Sequence, residues 1–232
     1  MTLVTIISVL ISLLAAGLFL LLFWDGINAS NLENNLKIIY KKSLWVGICI
    51  WVAIIYILTL TDTFTYRPDV WFPKFLIGLF VPVFIVLSLF INKHFKAILD
   101  NLSFKNLALG QLWRLLGAVF FLVAIWEMGP KAFLASGYGD VLTGIIALVT
   151  LILVRNNLKQ ARLSSWVLTL VGTTDLLIVL YILLSYHPIW YDGLPNTAMA
   201  GSFPMMLIIG IAAPIALIQH IITLRKLLLN TK

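Results

Sequence analysis

Charged residues are scarce in this chain, and their scarcity excludes a water-soluble globular fold. Lysine, arginine, aspartate and glutamate together make up 11% of the 232 residues, whereas 62% are hydrophobic and the mean hydropathy is +1.06. A soluble domain is usually about one quarter charged. A chain this apolar cannot cover its hydrophobic surface in water, so its solvent must be lipid.

Cysteine and catalytic motifs are also scarce. Cys49 is the only cysteine, which excludes an internal disulfide and a multi-cysteine metal site. The sequence contains no nucleophile elbow, His-Glu-x-x-His motif or Walker loop. No lysine lies in the last apolar run, so a retinal Schiff base cannot form there. No two histidines share a helix face, which argues against zinc or bis-histidine haem. We therefore expect no cofactor.

What the chain does have is seven long apolar runs, each of which we interpret as one transmembrane helix. They lie near residues 3–24, 44–61, 74–91, 107–127, 141–154, 165–186 and 203–224. No remaining stretch is long enough for a soluble domain. The sequence therefore predicts an all-α fold, a single membrane domain over residues 1–232 built as a bundle of seven transmembrane helices.

The basic residues alternate between the two sides of this bundle. The segments on one side hold twelve, namely Lys37, Lys41, Lys42, Lys93, Lys96, Lys105, Arg155, Lys159, Arg162, Arg225, Lys226 and Lys232. The other side holds only Arg67, Lys74 and Lys131. This asymmetry predicts an outside N-terminus and a cytoplasmic C-terminus. Because topology explains the positive charge, we expect the lipid bilayer as a partner and no nucleic acid.

The first cytoplasmic loop has helical features of its own. Ser30 and Glu33 have the spacing of a capping box, and apolar residues and lysines follow them. We predict a short amphipathic helix over residues 31–42 on the inner surface, running into the second span.

Two spans carry the same Gly-x-x-x-Pro pattern at mid-depth. It occurs as Gly78 and Pro82 in span three and as Gly210 and Pro214 in span seven. Spans two and six share Trp-Val and Tyr-Ile-Leu. These matches suggest a parallel 3+1+3 pseudo-repeat, a plan used by some transporters. The alternative is chance matching between apolar sequences.

Asp175 is the strongest candidate for a functional residue. It lies ten residues beyond Ser165, about 15 Å into span six and close to the midplane. An ionised carboxylate at that depth costs at least ~2.5–3.5 kcal/mol, so acids there are usually functional. The alternative is a protonated side chain that hydrogen-bonds across a helix interface.

Four further residues could act with it. Arg114 in span four could either extend its guanidinium to the cytoplasmic headgroups or pair with Asp175. His220 in span seven could relay protons or be interfacial. Asp140 follows Gly137-Tyr138-Gly139 and could be the N-cap of span five, or a ligand-facing acid beside Glu127.

Aromatic residues are concentrated in the outer loops. We name Tyr66, Trp71 and Trp190 as candidates to cover an outward-facing mouth. The alternative for each ring is anchoring at the membrane interface.

Three stretches resemble a group of uncharacterised bacterial multi-pass membrane proteins. They are residues 112–117, residues 133–144, and the pattern from Pro214 through His220 to Leu224. Proteins of that group have Trp-Arg in one span, a Gly-x-Gly-Asp turn, Leu-Asp in a later span and Pro…His in the last. Asp175 occupies the Leu-Asp position. The resemblance covers residues 110–225 and implies a bacterial origin and a shared architecture, but no reaction.

These observations support three hypotheses for function. The first is a small transporter or permease-like protein of the bacterial inner membrane, in which Asp175 binds a proton or substrate. The second is a ligand-binding or sensory module with an outward-facing pocket. The third, an intramembrane enzyme, has the least support because no catalytic motif is present. The small-molecule ligand or ion and the oligomeric state are left open.

Overall fold

The computed structural model describes residues 2–154 and 158–229, in which every regular element is helical. Arg155 and Lys232, counted above among the basic residues, lie outside the described residues, as does the side chain of Lys159. The helices are α1 (Thr2–Ala29), α2 (Asn34–Leu60), α3 (Phe75–Leu89), α4 (Lys93–Asp100), α5 (Phe104–Ile125), α6 (Phe133–Val154), α7 (Leu158–Ser185) and α8 (Met205–Leu229).

Six of these helices are long and apolar enough to cross a bilayer: α1, α2, α5, α6, α7 and α8. The third predicted span corresponds to α3, whose 15 residues rise only about 22 Å. After α3 the chain turns by 101° into the short helix α4, and the bent pair counts as a seventh candidate. A helical membrane bundle of six to seven spans is therefore the observed architecture.

Two of the long helices contain irregular segments. Within α5, residues Leu112–Ala118 form a 3₁₀ helix, and within α8, residues Ile208–Ala212 form a π-helix. Irregular turns of both kinds are frequent at functional sites because they change the face on which later side chains lie. Both segments border the site described below.

The helix predicted over residues 31–42 begins at Asn34 and runs into the second span as predicted, but its cap differs from the prediction. This helix, α2, continues without a break into the membrane span because no proline interrupts residues 34–60. Ser30 does not cap it, since its hydroxyl donates to the Ile27 carbonyl at the end of α1, 2.7 Å away. Glu33 occupies the N-cap position without a side-chain hydrogen bond. The capping-box interpretation was wrong.

Helix α8 is the centre of the bundle, and α2 is at its edge. In the most apolar window of each helix, 83% of residues are buried in α8 but only 11% in α2. Small residues of α1, among them Ser8 and Ser12, are completely or almost completely buried, and α1 packs against the π segment of α8. Such small-residue stripes allow helix backbones to approach closely in lipid.

The two Gly-x-x-x-Pro motifs lie against each other. A Cβ built on Gly78 in α3 would lie 3.7 Å from the Cα of Gly210 in α8, so the glycines form the contact. Beyond that contact the two halves differ, because α7 packs closely on α8 whereas a large cavity lies between α2 and α3. The 3+1+3 pseudo-repeat stays a prediction.

Candidate functional site

The guanidinium of Arg114 lies at the centre of the bundle. Arg114 is 0% exposed. It lies ten residues after Phe104 and eleven before Ile125, at the middle of α5. The sequence analysis began the fourth span at residue 107, whereas the helix begins at Phe104. Arg114 was therefore expected closer to the cytoplasmic surface. The side chain does not extend to the headgroups, and the alternative of pairing inside the bundle describes its position.

Two carboxylates from different helices bind this guanidinium. Asp140 of α6 accepts from Arg114 Nε over 2.7 Å, and Asp175 of α7 forms an ion pair with Arg114 Nη2. Both acids are buried, at 6% and 2% exposure. One arginine therefore connects three helices through charge-assisted bonds, which are the stronger class of hydrogen bond.

A fourth helix contributes a histidine. His220 Nε2 of α8 lies 3.1 Å from Arg114 Nη1. Arginine has no acceptor, so in this bond Nε2 of the imidazole accepts and the ring is neutral with its proton on Nδ1. The same Nη1 also approaches the carbonyl of Gly172, 3.4 Å away. We call Arg114, Asp140, Asp175 and His220 the charged core.

Glycines provide the space that the charged core occupies. In each case a Cβ added to a glycine on one helix would overlap a polar side chain on a neighbouring helix. The pairs are Gly117 with Asp140, Gly139 with Asp175, Gly172 with His220, and Gly110 with Gln219. Close approach of backbone to side chain is a situation that only glycine permits.

This packing explains the Gly-x-Gly-Asp pattern in a different way from the sequence analysis. Helix α6 begins at Phe133, so Asp140 lies two turns inside the helix and is not its N-cap. Gly137 faces the Phe121 ring and Gly139 faces the Asp175 carboxylate. The capping interpretation was wrong because the glycines are required by packing between helices and not by a turn.

A glutamine pair extends the polar region, and the sequence analysis did not identify it. The Gln111 side chain donates to the Gln219 side-chain oxygen over 2.7 Å, and both residues are buried. The second oxygen or nitrogen of each amide has no partner among the described residues. Amides inside an apolar span are costly, and that cost is the signal that could have identified the pair.

The charges of the charged core do not balance. Arg114 contributes one positive charge, Asp140 and Asp175 two negative charges when ionised, and His220 none. The net charge is then −1 in a buried environment, where each uncompensated ion costs several kcal/mol. One oxygen of Asp175, Oδ1, is buried and has no hydrogen-bond partner among the described atoms. The arrangement thus has one negative charge and one acceptor in excess.

A small cavity adjoins Asp140. Its volume is about 140 Å³, and it is lined mostly by apolar residues of α3, α5, α7 and α8. Its polar lining consists of Asp140, Thr173 and the indole of Trp113, whose N–H is buried without a partner among the described residues. Leu177, which is 62% exposed, also lines it, so the cavity reaches the membrane-facing surface. We call it the side cavity.

The remaining predicted site residues are not part of the charged core. Glu127 is exposed in the loop after α5, and Trp71 is 85% exposed. The rings of Tyr66 and Trp190 instead pack against His187, at centroid distances of 5.6 and 5.7 Å. The side cavity is not lined by Tyr66, Trp71 or Trp190.

His187 is a buried titratable residue outside the spans, in the segment that follows α7. It is 3% exposed and also contacts the Phe75 ring at 5.8 Å. Its Nδ1 accepts the backbone N–H of Ile189 over 3.3 Å. Burial lowers the pKa of His187 to about 4, so the imidazole is neutral at physiological pH.

Comparison with known proteins gives a family and no activity. No curated protein and no solved structure matches the chain. A family model described as "Domain of unknown function (DUF8737)" matches residues 71–228, which include the whole charged core and helices α3 to α7. Since this match covers more than half of the chain, the protein belongs to the DUF8737 family.

Proposed function

We propose that the chain is a small transporter-like membrane protein whose charged core binds one proton or one small substrate cation. The observation that carries this proposal is the charge imbalance at mid-depth, where two buried carboxylates share one guanidinium. A proton or a monovalent cation brings the net charge from −1 to zero. Buried acids inside membrane spans commonly mark ion pathways and proton relays.

The unpartnered oxygen gives the bound proton or cation a position. Asp175 Oδ1 is the acceptor that the protein leaves free, and the backbone of Gly139 approaches it from α6. A proton on the carboxyl group would convert an orphaned acceptor into a neutral group, which removes most of the cost of burying it. His220 is neutral in this arrangement and offers no competing positive charge.

The side cavity gives water a place beside the charged core. A volume of about 140 Å³ accommodates roughly four waters at ~30 Å³ each. Waters there would contact Asp140, Thr173 and the Trp113 indole, which are the polar groups that a hydrated site requires.

The orientation that we propose follows the basic residues. The N-terminus is outside, the C-terminus is cytoplasmic, and α3 with its surrounding turns serves as the seventh span of a protein in a bacterial inner membrane. Helix α4 supports this orientation, because it places Lys93 and Lys96 after a 101° turn and buries Phe95, Ile98 and Leu99 on its opposite side. Such an amphipathic helix suits a headgroup surface.

The experiment compares Asp175→Asn with a matched control, Asp69→Asn, which changes an exposed acid in an outer loop. Purified protein is reconstituted in liposomes and titrated while infrared difference spectra record the carbonyl stretch of a protonated carboxyl group. We expect this band in the wild type and the control, and its loss in Asp175→Asn.

Transport requires a second measurement on the same samples. Liposomes with an internal pH-sensitive dye receive a pH gradient, and we expect proton flux in the wild type and the control but not in Asp175→Asn. A protonation band without flux would contradict transport and leave a structural ion-pair network. Absence of the band would contradict proton binding itself, and flux driven by Na⁺ or K⁺ would then be the remaining form of the proposal.

A further inference from the structure

A second, larger cavity shares no lining residue with the side cavity. It has a volume of about 700 Å³ and lies between α2 and α3, with α1 and α8 as its floor. This volume is typical of a site for a small organic ligand. The cavity is not lined by any residue of the charged core. We call it the groove.

The groove exists because α2 stands away from the bundle. Only Ile55 and Thr59 of α2 are buried, both near its outer end. The lining residues of α2 run from Ile39 to Leu58, about 28 Å along the helix axis and close to the ~30 Å thickness of a hydrocarbon core. An apolar cavity of this length that opens toward lipid has the shape of an extended acyl chain.

The inner end of the groove has different chemistry. Tyr40 and Asn92 both line it, and the Tyr40 hydroxyl donates to Asn92 Oδ1 over 3.3 Å, joining α2 to the start of α4. Ser43 is the third polar residue at this end. The polarity therefore changes from apolar to hydrogen-bonding at the depth where a lipid would change from acyl chain to headgroup.

Positive charges flank this polar end. Lys42 precedes Ser43 and Lys93 follows Asn92, and both lysines are exposed and form no ion pair with a described residue. Both lysines belong to the segments that carry the polar end, and an ammonium group near a membrane surface contributes about 1 kcal/mol to binding an anionic headgroup.

We infer that the groove is a binding site for one anionic phospholipid, with an acyl chain between α2 and α3 and a phosphate near Lys42 and Lys93. The lipid supplies the packing that α2 lacks against the rest of the protein. The inference is independent of the proposed transport function, because the groove and the charged core share no residues.

Native mass spectrometry of the purified protein, with phosphatidylglycerol and phosphatidylcholine as competing probes, tests this inference. Gly47 lines the groove and a Cβ there meets nothing within 4 Å, so Gly47→Phe places a bulky side chain in the groove with no clash at its Cβ. Gly17 of α1 has the same free space but does not line the groove, so Gly17→Phe is the matched control. We expect retained phosphatidylglycerol to be lost in Gly47→Phe and kept in Gly17→Phe.

The headgroup part is tested by charge removal. Lys42→Gln with Lys93→Gln should reduce the preference for phosphatidylglycerol over phosphatidylcholine roughly thirtyfold, whereas Lys105→Gln with Lys131→Gln should leave it unchanged. Equal retention of both lipids by the wild type would overturn the inference, as would equal retention by both glycine variants. A dimer that dissociates in Gly47→Phe would also overturn it, since a second copy would then be the occupant.

Discussion

Replacing Arg114 by glutamine should lower the free energy of unfolding far more than the same replacement of an exposed arginine. The substitution removes the positive charge that Asp140 and Asp175 share and leaves both carboxylates buried without a counter-ion among the described residues. Bonds to charged groups contribute ~1.5–3 kcal/mol each, so losing two gives ~3–6 kcal/mol. Removing one partner of a buried ion pair costs about 3–5 kcal/mol. The two figures agree on a loss of at least about 3 kcal/mol, or roughly a hundredfold in the unfolding equilibrium.

Arg225→Gln is the matched control for this change. Arg225 pairs with Asp100 over 2.5 Å, but the two side chains are 23% and 52% exposed. Exposed pairs are worth about 0–1 kcal/mol because solvent screens them. Unfolding of both variants in mixed detergent micelles, followed by tryptophan fluorescence, measures the difference directly.

A rescue experiment separates charge from packing. If the orphaned carboxylates cause the loss, Asp140→Asn and Asp175→Asn added to Arg114→Gln should restore most of the stability, because a neutral hydrogen-bonded core needs no counter-ion. If the loss reflects only the volume of the arginine side chain, the triple variant will stay as unstable as the single one. A cost for Arg114→Gln no larger than for Arg225→Gln would refute the charge argument altogether.

Three further predictions use the same unfolding assay. Gly139→Ala should lower the free energy of unfolding by ~1–3 kcal/mol because its Cβ overlaps the Asp175 carboxylate. Gly17→Ala has free space around its Cβ and should cause no loss. An equal loss in both variants would contradict the packing argument. Burial lowers the pKa of His187 to about 4 from 6.5, so between these pH values the unfolded state binds more protons than the folded state. The contribution of the neutral imidazole to the free energy of unfolding should be complete above pH 6.5 and fall by up to about 3 kcal/mol toward pH 4. His187→Phe should abolish this pH dependence. Trp51→Phe removes an indole bond of 3.0 Å to a carbonyl of the π segment and should cost about 1 kcal/mol; an unchanged midpoint would show that the bond does not hold α2.

The sequence predicted the membrane bundle well because lipid imposes a simple rule on length and apolarity. Six of the seven apolar runs overlap a helix long enough to cross a bilayer, and the run 74–91 overlaps the shorter α3. The ends of the helices were less predictable. Glycines that look like turn signals in one dimension, such as Gly137 and Gly139, serve close helix contacts in three dimensions, so the start of α6 was placed too late.

The members of the charged core were predictable one by one, and their arrangement was not. A carboxylate at the depth of Asp175 is conspicuous in any apolar span. Which helix supplies its partner depends on which spans are neighbours, and hydropathy contains no information about neighbours. The error in the start of α5 also placed Arg114 near the headgroups, where a harmless explanation was available. The glutamines Gln111 and Gln219 were overlooked because each is unremarkable until the other is found 2.7 Å away.

The irregular segments connect the charged core to the rest of the bundle. The 3₁₀ segment contains Arg114, and its Trp113 lines the side cavity together with Ile208 and Ile209 of the π segment. A π turn contains one residue more than an α turn, so converting it to α-helix would rotate the helix beyond it by about 100°. His220 lies beyond the π segment in α8, and such a rotation would remove it from Arg114. The hydrogen bond between His220 and the guanidinium therefore depends on the π turn.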